Sequence, residues 1–279
     1  MPNKLTNAAT YFWHRILRVP IKMRCGLERK VKKPQLTIVC LHGIAADSAT
    51  WRTTFNFLAK HKCCRNIRFV SLDLLGFGKS LKADWLDYKY DDYLNAISRA
   101  LKSYHIKTPI ILIGHSMGAL IAAKFAKEYP TKIRQLILVS PPLLLPEEVA
   151  KVPDKFYYQT YGALHKYTNE PVIQAMANFI QKITSFRKEF LDSTGFKRSM
   201  KHIILNSRNY STFAHLKVPT TIIHGRLDPL VYGPNLKQVA KENSEHIKMV
   251  SVTSAHDISA QKRAKILSVI EKVVEDEAT

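Results

Sequence analysis

Three side chains set the chemistry this sequence can do: Ser116, Asp228 and His256, in that chain order. A serine hydroxyl is a weak nucleophile and needs a base within hydrogen-bond reach. A histidine serves because its pKa lies near neutrality, so it can take a proton and return it. A carboxylate behind the histidine fixes its tautomer and stabilises the imidazolium. The oxyanion that forms on an attacked carbonyl needs preorganised N–H donors, each worth about 3 kcal/mol of barrier. The backbone N–H groups of Ile44 and Met117 are the candidates for that hole.

The elements that must position these groups begin with the stretch around Ser116. A β-branched apolar run at 110–113 ends in Gly114-His115-Ser116-Met117-Gly118, and an alanine-rich apolar segment follows at 119–129. This reads as buried strand, sharp turn, helix. Glycines at 114 and 118 remove Cβ atoms that would collide in so tight a bend. Met117 then stands at a helix N-terminus, where unpaired N–H groups and the helix dipole favour negative charge.

Strands are also expected at 36–41, 67–72, 133–139, 220–225 and 246–252, with helices at 48–60 (Asp47 or Ser48 as cap), 90–104, 235–242 and 258–274. Short apolar strands alternating with helices imply an α/β fold: a mostly parallel central sheet with helices on both faces. Ligands in such sheets sit beyond the carboxyl ends of the strands. The first strand is followed by His42-Gly43-Ile44, the second by Asp73-Leu74-Leu75-Gly76-Phe77-Gly78, and the third by Ser116. The run at 220–225 leads to Asp228, and the last strand to His256. A serine, an acid and a histidine thus fall at strand ends, and strand periodicity requires none of them.

With those residues in view, the chain resembles the α/β-hydrolase superfamily, in its cap-bearing, single-domain branch of esterases, C–C hydrolases and cofactor-free haloperoxidases. Leu41-His42-Gly43 with Trp51 downstream carries the resemblance, as do Asp73 to Ser80, the Gly114–Gly118 turn, His224-Gly225-Arg226-Leu227-Asp228 and Ala255-His256. It implies Ser116 as nucleophile, Asp228 as acid, His256 as base, and the Ile44 and Met117 amides as oxyanion donors. Asp73 is the rival acid, but the family uses that position structurally. Asp257 adjoins the base and is expected to face elsewhere. His42 is expected to shape the oxyanion loop. His115 and His224 read as packing or hydrogen-bonding groups, and His246 as a surface residue. The His-Gly-Ile-Ala loop lacks the glycine-rich run of many lipases and the Gly-Gly-Pro-Gly of proline aminopeptidases. A serine nucleophile argues against the aspartate-based dehalogenase and epoxide-hydrolase branches.

The resemblance implies a serine hydrolase, a carboxylesterase of small or medium acyl esters first and a C–C bond hydrolase second. A non-catalytic binding or peripheral membrane protein on the same fold is the reading from another class. The partner expected is a small ester-like molecule, with no cofactor. No metal-ligand spacing, phosphate-binding loop, dinucleotide fingerprint or nucleic-acid module is found; Gly78-Lys79-Ser80 has Asp73 where a phosphate loop needs glycine.

The domain reading is a basic amphipathic segment at 1–35, a core at 36–141 and 217–279, and a helical cap insertion at 142–216. Helical patterns at 156–165 and 172–186 mark that insertion. Leu143 and Leu144, with Leu145, can form an apolar substrate wall or pack the cap on the core. The chain has 279 residues, 46% of them hydrophobic, enough for one large core. Its formal charge of +21 is spread along its length. That reads as a generally basic protein, with anionic surfaces as natural contacts. Tyr11, Phe12, Trp13, Ile16 and Leu17 share the first segment with His14, Arg15 and Arg18. Such a segment lies in an anionic membrane interface or packs its aromatics on the main domain. No apolar run approaches the ~20 residues that cross a bilayer, no secretory signal is read, and the four cysteines suit reduced, cytosolic thiols. Cytoplasmic location, with peripheral membrane contact, is the expectation.

Overall fold

The computed structural model describes residues 4–146, 193–206 and 209–276. Seven strands form one sheet: β1 (Arg24–Arg29), β2 (Leu36–Leu41), β3 (Ile67–Asp73), β4 (Ile110–His115), β5 (Ile133–Val139), β6 (Thr220–Gly225) and β7 (Ile247–Val252). The described helices are α1 (Lys4–Tyr11), α2 (Arg52–Leu58), α3 (Tyr90–Ser103), α4 (Met117–Glu128), α5 (Thr194–Ser199), α6 (Asn209–Ala214), α7 (Gly233–Glu242) and α8 (Ala260–Glu275). The strand order is β1-β3-β2-β4-β5-β6-β7, parallel except for β1, which runs antiparallel to β3.

The β-branched runs form central strands because both faces of the sheet are covered. Along β4, Ile110 and Leu112 enter one core with α3, α4, α5, α6 and α7, while Ile111 and Ile113 enter the other with α2 and α8. That alternation follows from the two-residue side-chain period of a strand. The chain passes from β2 to β3 on one side and returns to β4 on the other. The loops after β2 and β4 therefore part between those two strands, the crevice where open parallel sheets bind ligands.

Two local features differ from the sequence reading. The helix expected at 48–60 begins as a 3-10 turn over Ser48–Trp51 before α2, capped by the Asp47 carboxylate, which accepts from the Ala49 N–H at 2.9 Å. Strand β1 was not expected at all, since Arg24-Cys25-Gly26-Leu27-Glu28-Arg29 is polar and carries a register shift between Cys25 and Leu27. A Cβ on Gly26 would stand 2.0 Å from Ser48 Oγ and 2.7 Å from Asp73 Oδ2, so only glycine lets this strand lie so close.

The described end of the insertion, α5, a π-helical turn over Met200–Ile204, and α6, is helical and buries Phe196, Met200, Ile203 and Phe213 in the larger core. The helices expected at 156–165 and 172–186 lie outside the described residues. All four cysteines are free thiols. No described helix is long and apolar enough to cross a membrane.

Candidate active site

Ser116 sits between β4 and α4 with φ +53° and ψ −123°. A non-glycine residue there costs about 1–3 kcal/mol, which the surrounding structure must hold in place. The holding contacts are visible. Ser116 N–H donates to Val139 O at 2.9 Å, and Ala119 N–H donates to Ser116 O at 2.9 Å. A Cβ on Gly114 would lie 2.4 Å from Gly118 O, and one on Gly118 would lie 2.4 Å from His42 O. The two glycines are thus required by contact, as the sequence implied. The Ser116 side chain makes no capping bond to α4, which leaves the hydroxyl uncommitted to the helix.

The loop after β2, which carries Ile44, is set by His42. Leu74 N–H donates to His42 Nε2 at 2.9 Å, so Nε2 is unprotonated and Nδ1 carries the proton. Nδ1 donates in turn to Gly43 O at 2.7 Å. Burial lowers the His42 pKa and keeps the ring neutral, which this arrangement needs. With the Gly43 carbonyl turned to His42, the planar trans peptide points the Ile44 N–H the other way. Ala45, at φ +53°, completes the tight turn. A Cβ on Gly43 would stand 3.2 Å from Ser116 Cβ, so this loop and the turn after β4 lie against each other. Met117 opens α4, and its N–H has no helical carbonyl to meet.

Asp228 and His256 meet in the loops after β6 and β7. His256 Nδ1 lies 2.9 and 3.0 Å from the two carboxylate oxygens of Asp228. The Asp228 side chain is fully buried and that of His256 nearly so. Burial pushes the Asp228 carboxyl up, but the hydrogen bond and charge of His256, the Leu230 amide and the Lys262 ammonium together hold it below its ordinary value. The carboxylate therefore keeps the proton of His256 on Nδ1. Nε2 of His256 is buried and has no hydrogen-bond partner among the described residues, Ser116 Oγ included. A buried, unpartnered imidazole nitrogen behind a carboxylate has the form of a general base in waiting.

Two residues tie this histidine to the neighbouring strands, His115 at the end of β4 and Lys262 through Ser140 at the end of β5. His115 Nε2 lies 3.0 Å from the His256 carbonyl, and the two rings are 5.0 Å apart. Burial first, then the neighbouring His256, lowers the His115 pKa to about 3, so it stays neutral and donates. Lys262, on α8, is completely buried. Its Nζ reaches Ser140 Oγ at 2.8 Å and the carbonyls of Ala255, His256 and Asp257 at 2.5, 3.0 and 3.0 Å. Sequence reasoning missed Lys262. The signal was a lysine on the apolar stripe that continues through Ile266, Ile270 and Val273.

The rival residues fall elsewhere. Asp73 accepts from the N–H groups of Ser48 at 2.7 Å and Lys79 at 2.9 Å, pinning two loops. Asp257 is exposed. His224 is buried, with its pKa lowered by burial, and packs beside Gly233. His246 is half-buried, 3.9 Å from Glu245. Leu143 and Leu145 pack into the larger core, and Leu144 is half-buried. No group of three or more metal-ligating side chains occurs among the described residues.

This geometry can be set beside known proteins. A probable lysophospholipase, BODYGUARD 1 of Arabidopsis thaliana, is 36% identical over 113 residues, which is 39% of this chain and 24% of that protein. The chain thus matches about a quarter of that relative's length. The AB hydrolase superfamily protein YisY of Bacillus subtilis strain 168 is 26% identical over 255 residues, covering 84% of this chain and 89% of its own. Among solved structures, an esterase from Exiguobacterium antarcticum superposes with a TM-score of 0.67 at 18% identity, over 92% of this chain and 100% of that one. The family model for the alpha/beta hydrolase fold matches residues 37–262. With the sheet order and the turn at Ser116, that match shows that the chain belongs to the alpha/beta hydrolase fold family.

Proposed function

We propose that the protein is a serine carboxylesterase acting through an acyl-enzyme. In this reading Ser116 Oγ attacks the ester carbonyl while His256 Nε2 takes its proton. The N–H groups of Ile44 and Met117 hold the oxyanion. His256 then protonates the departing alkoxide, and water, deprotonated by the same nitrogen, releases the acid. Asp228 orients the ring and stabilises the imidazolium. The observation that carries the reading is the buried His256 ring, bonded to Asp228 through Nδ1 with Nε2 unpartnered. The likeness to a probable lysophospholipase extends the expected substrates to amphiphilic acyl esters. Leu144 is the wall residue that remains half-buried for an acyl chain to meet.

The test is labelling with a fluorophosphonate probe alongside turnover of p-nitrophenyl acetate. Wild-type protein is expected to label and turn over; Ser116→Ala is expected to do neither while keeping its thermal transition. Turnover by a clean Ser116→Ala preparation would remove this residue from the mechanism. Failure of the wild type to label would favour a binding role on the same fold.

A further inference from the structure

We infer that α1 and the turn after it form a docking element for the surface of an anionic phospholipid bilayer. Among the described residues, seven of the eight exposed large hydrophobic side chains lie between Leu5 and Val19. Trp13 and Ile16 are more than half exposed. Monomeric proteins rarely leave so dense an apolar group in water without a partner.

The helix is held to the body by its other face. Asn7 exchanges two hydrogen bonds with Asp84, at 2.6 and 3.1 Å. The Trp85 indole N–H donates to Thr10 Oγ1 at 3.1 Å, Tyr11 meets the Trp85 ring edge-on, and the Arg15 guanidinium lies 5.4 Å from its centre. Asn7, Thr10, Tyr11 and His14 follow helical spacing on this mooring face, which leaves Leu5, Phe12, Trp13 and Ile16 turned outward.

Charge selects the occupant. The first acid in the chain is Glu28; before it stand Lys4, Arg15, Arg18, Lys22 and Arg24. Lys4, Arg15 and Arg18 are exposed beside the apolar side chains. Aromatic and aliphatic groups flanked by cations suit the headgroup region of an anionic bilayer: the rings enter the interface and the cations meet the phosphates. The mooring also gives the bilayer a direction. Asp84 is shared with α5, through Thr194 Oγ1 at 2.5 Å and Arg198 Nη1 at 2.8 Å. A bilayer gripped by α1 therefore lies on the side where the chain returns from the insertion.

The experiment sediments full-length protein with phosphatidylcholine vesicles, with and without about 30 mol% phosphatidylserine, at low and high salt. Binding is expected to the anionic vesicles, weakening at high salt. It should fall by roughly tenfold or more in Phe12→Ser/Trp13→Ser/Ile16→Ser and in Lys4→Glu/Arg18→Glu. Turnover of the water-soluble ester should be unchanged in both variants, so loss of docking and loss of the hydrolase reading are told apart. Equal binding to neutral and anionic vesicles, or unchanged binding by the triple variant, would overturn the inference. So would a wild-type dimer that ignores vesicles and dissociates in the triple variant, since a second copy would then be the occupant.

Discussion

Replacing Lys262 by methionine keeps the length of the side chain and removes its charge and donors. The Nζ holds Ser140 and three successive carbonyls around His256. All three carbonyls keep a second donor, His256 O in His115, Asp257 O in the Ser259 N–H at 2.9 Å and Ala255 O in Ser254 Oγ at 3.4 Å, so what each loses is its hydrogen bond to a charged group. Each such loss costs about 1–3 kcal/mol. Against this, burial pushes the Lys262 ammonium from 10.5 down to about 8, so carrying the charge in the fold costs about 3 kcal/mol at neutral pH. The two effects largely offset, and Lys262→Met should lose no more than about 3 kcal/mol of stability. Activity should fall much further, by roughly a hundredfold, because a shift of about 1 Å in the histidine is enough for that.

The pH dependence separates positioning from plain packing. Between about pH 8 and 10 the unfolded chain still holds the lysine proton and the folded one has released it. The unfolded state then binds more protons, so wild-type stability gains a rising component with pH across that window. The methionine variant should lack it. Urea denaturation from pH 7 to 10, with kcat/KM for p-nitrophenyl acetate at each pH, measures both. Wild-type kcat/KM in the variant, or an unaltered difference in stability across the window, would refute the role given to this lysine.

Two further outcomes follow from the same site. Asp228→Asn should keep the fold and lose about 10⁴-fold in kcat, since the amide no longer fixes the proton on Nδ1; steady-state kinetics and a thermal scan check this together. His115, held neutral down to about pH 3, makes the fold acid-sensitive. Below about pH 6.5 the unfolded chain takes up a proton that the folded chain refuses, so up to about 5 kcal/mol of stability drains away between pH 6.5 and 3. His115→Gln should flatten that part of the denaturation profile.

How much of this was legible in the sequence varied with distance along the chain. Strands β2, β5 and β6 fall where their β-branched runs lie, because a strand covered on both faces is apolar through most of its length. The turn at Ser116 was legible because its glycines and its following helix are neighbours in sequence. Strand β1 was not: an edge strand with arginines, a glutamate and a glycine shows no apolar run, and only Asp73 and Ser48, far away in sequence, explain Gly26. Lys262 was hidden for a similar reason. Its partners are carbonyls, and carbonyls leave no trace in residue identity. His42 shows the opposite case, since one of its two ring partners, the Gly43 carbonyl, is its neighbour in sequence.

The antiparallel strand β1 has a consequence for how the molecule can be cut. It covers the flank of β3, whose N–H and C=O groups would otherwise stand open as a template for another chain. Met23, just before it, is wholly enclosed. Trimming that stops before Ile21 would remove α1 and the turn after it and leave the core contacts of Ile21 and Met23, whereas a cut a few residues later would bare a sticky border and invite aggregation. The opening of this polypeptide is therefore two things in sequence: a projecting foot, and then a hem that keeps the fabric of the sheet from fraying.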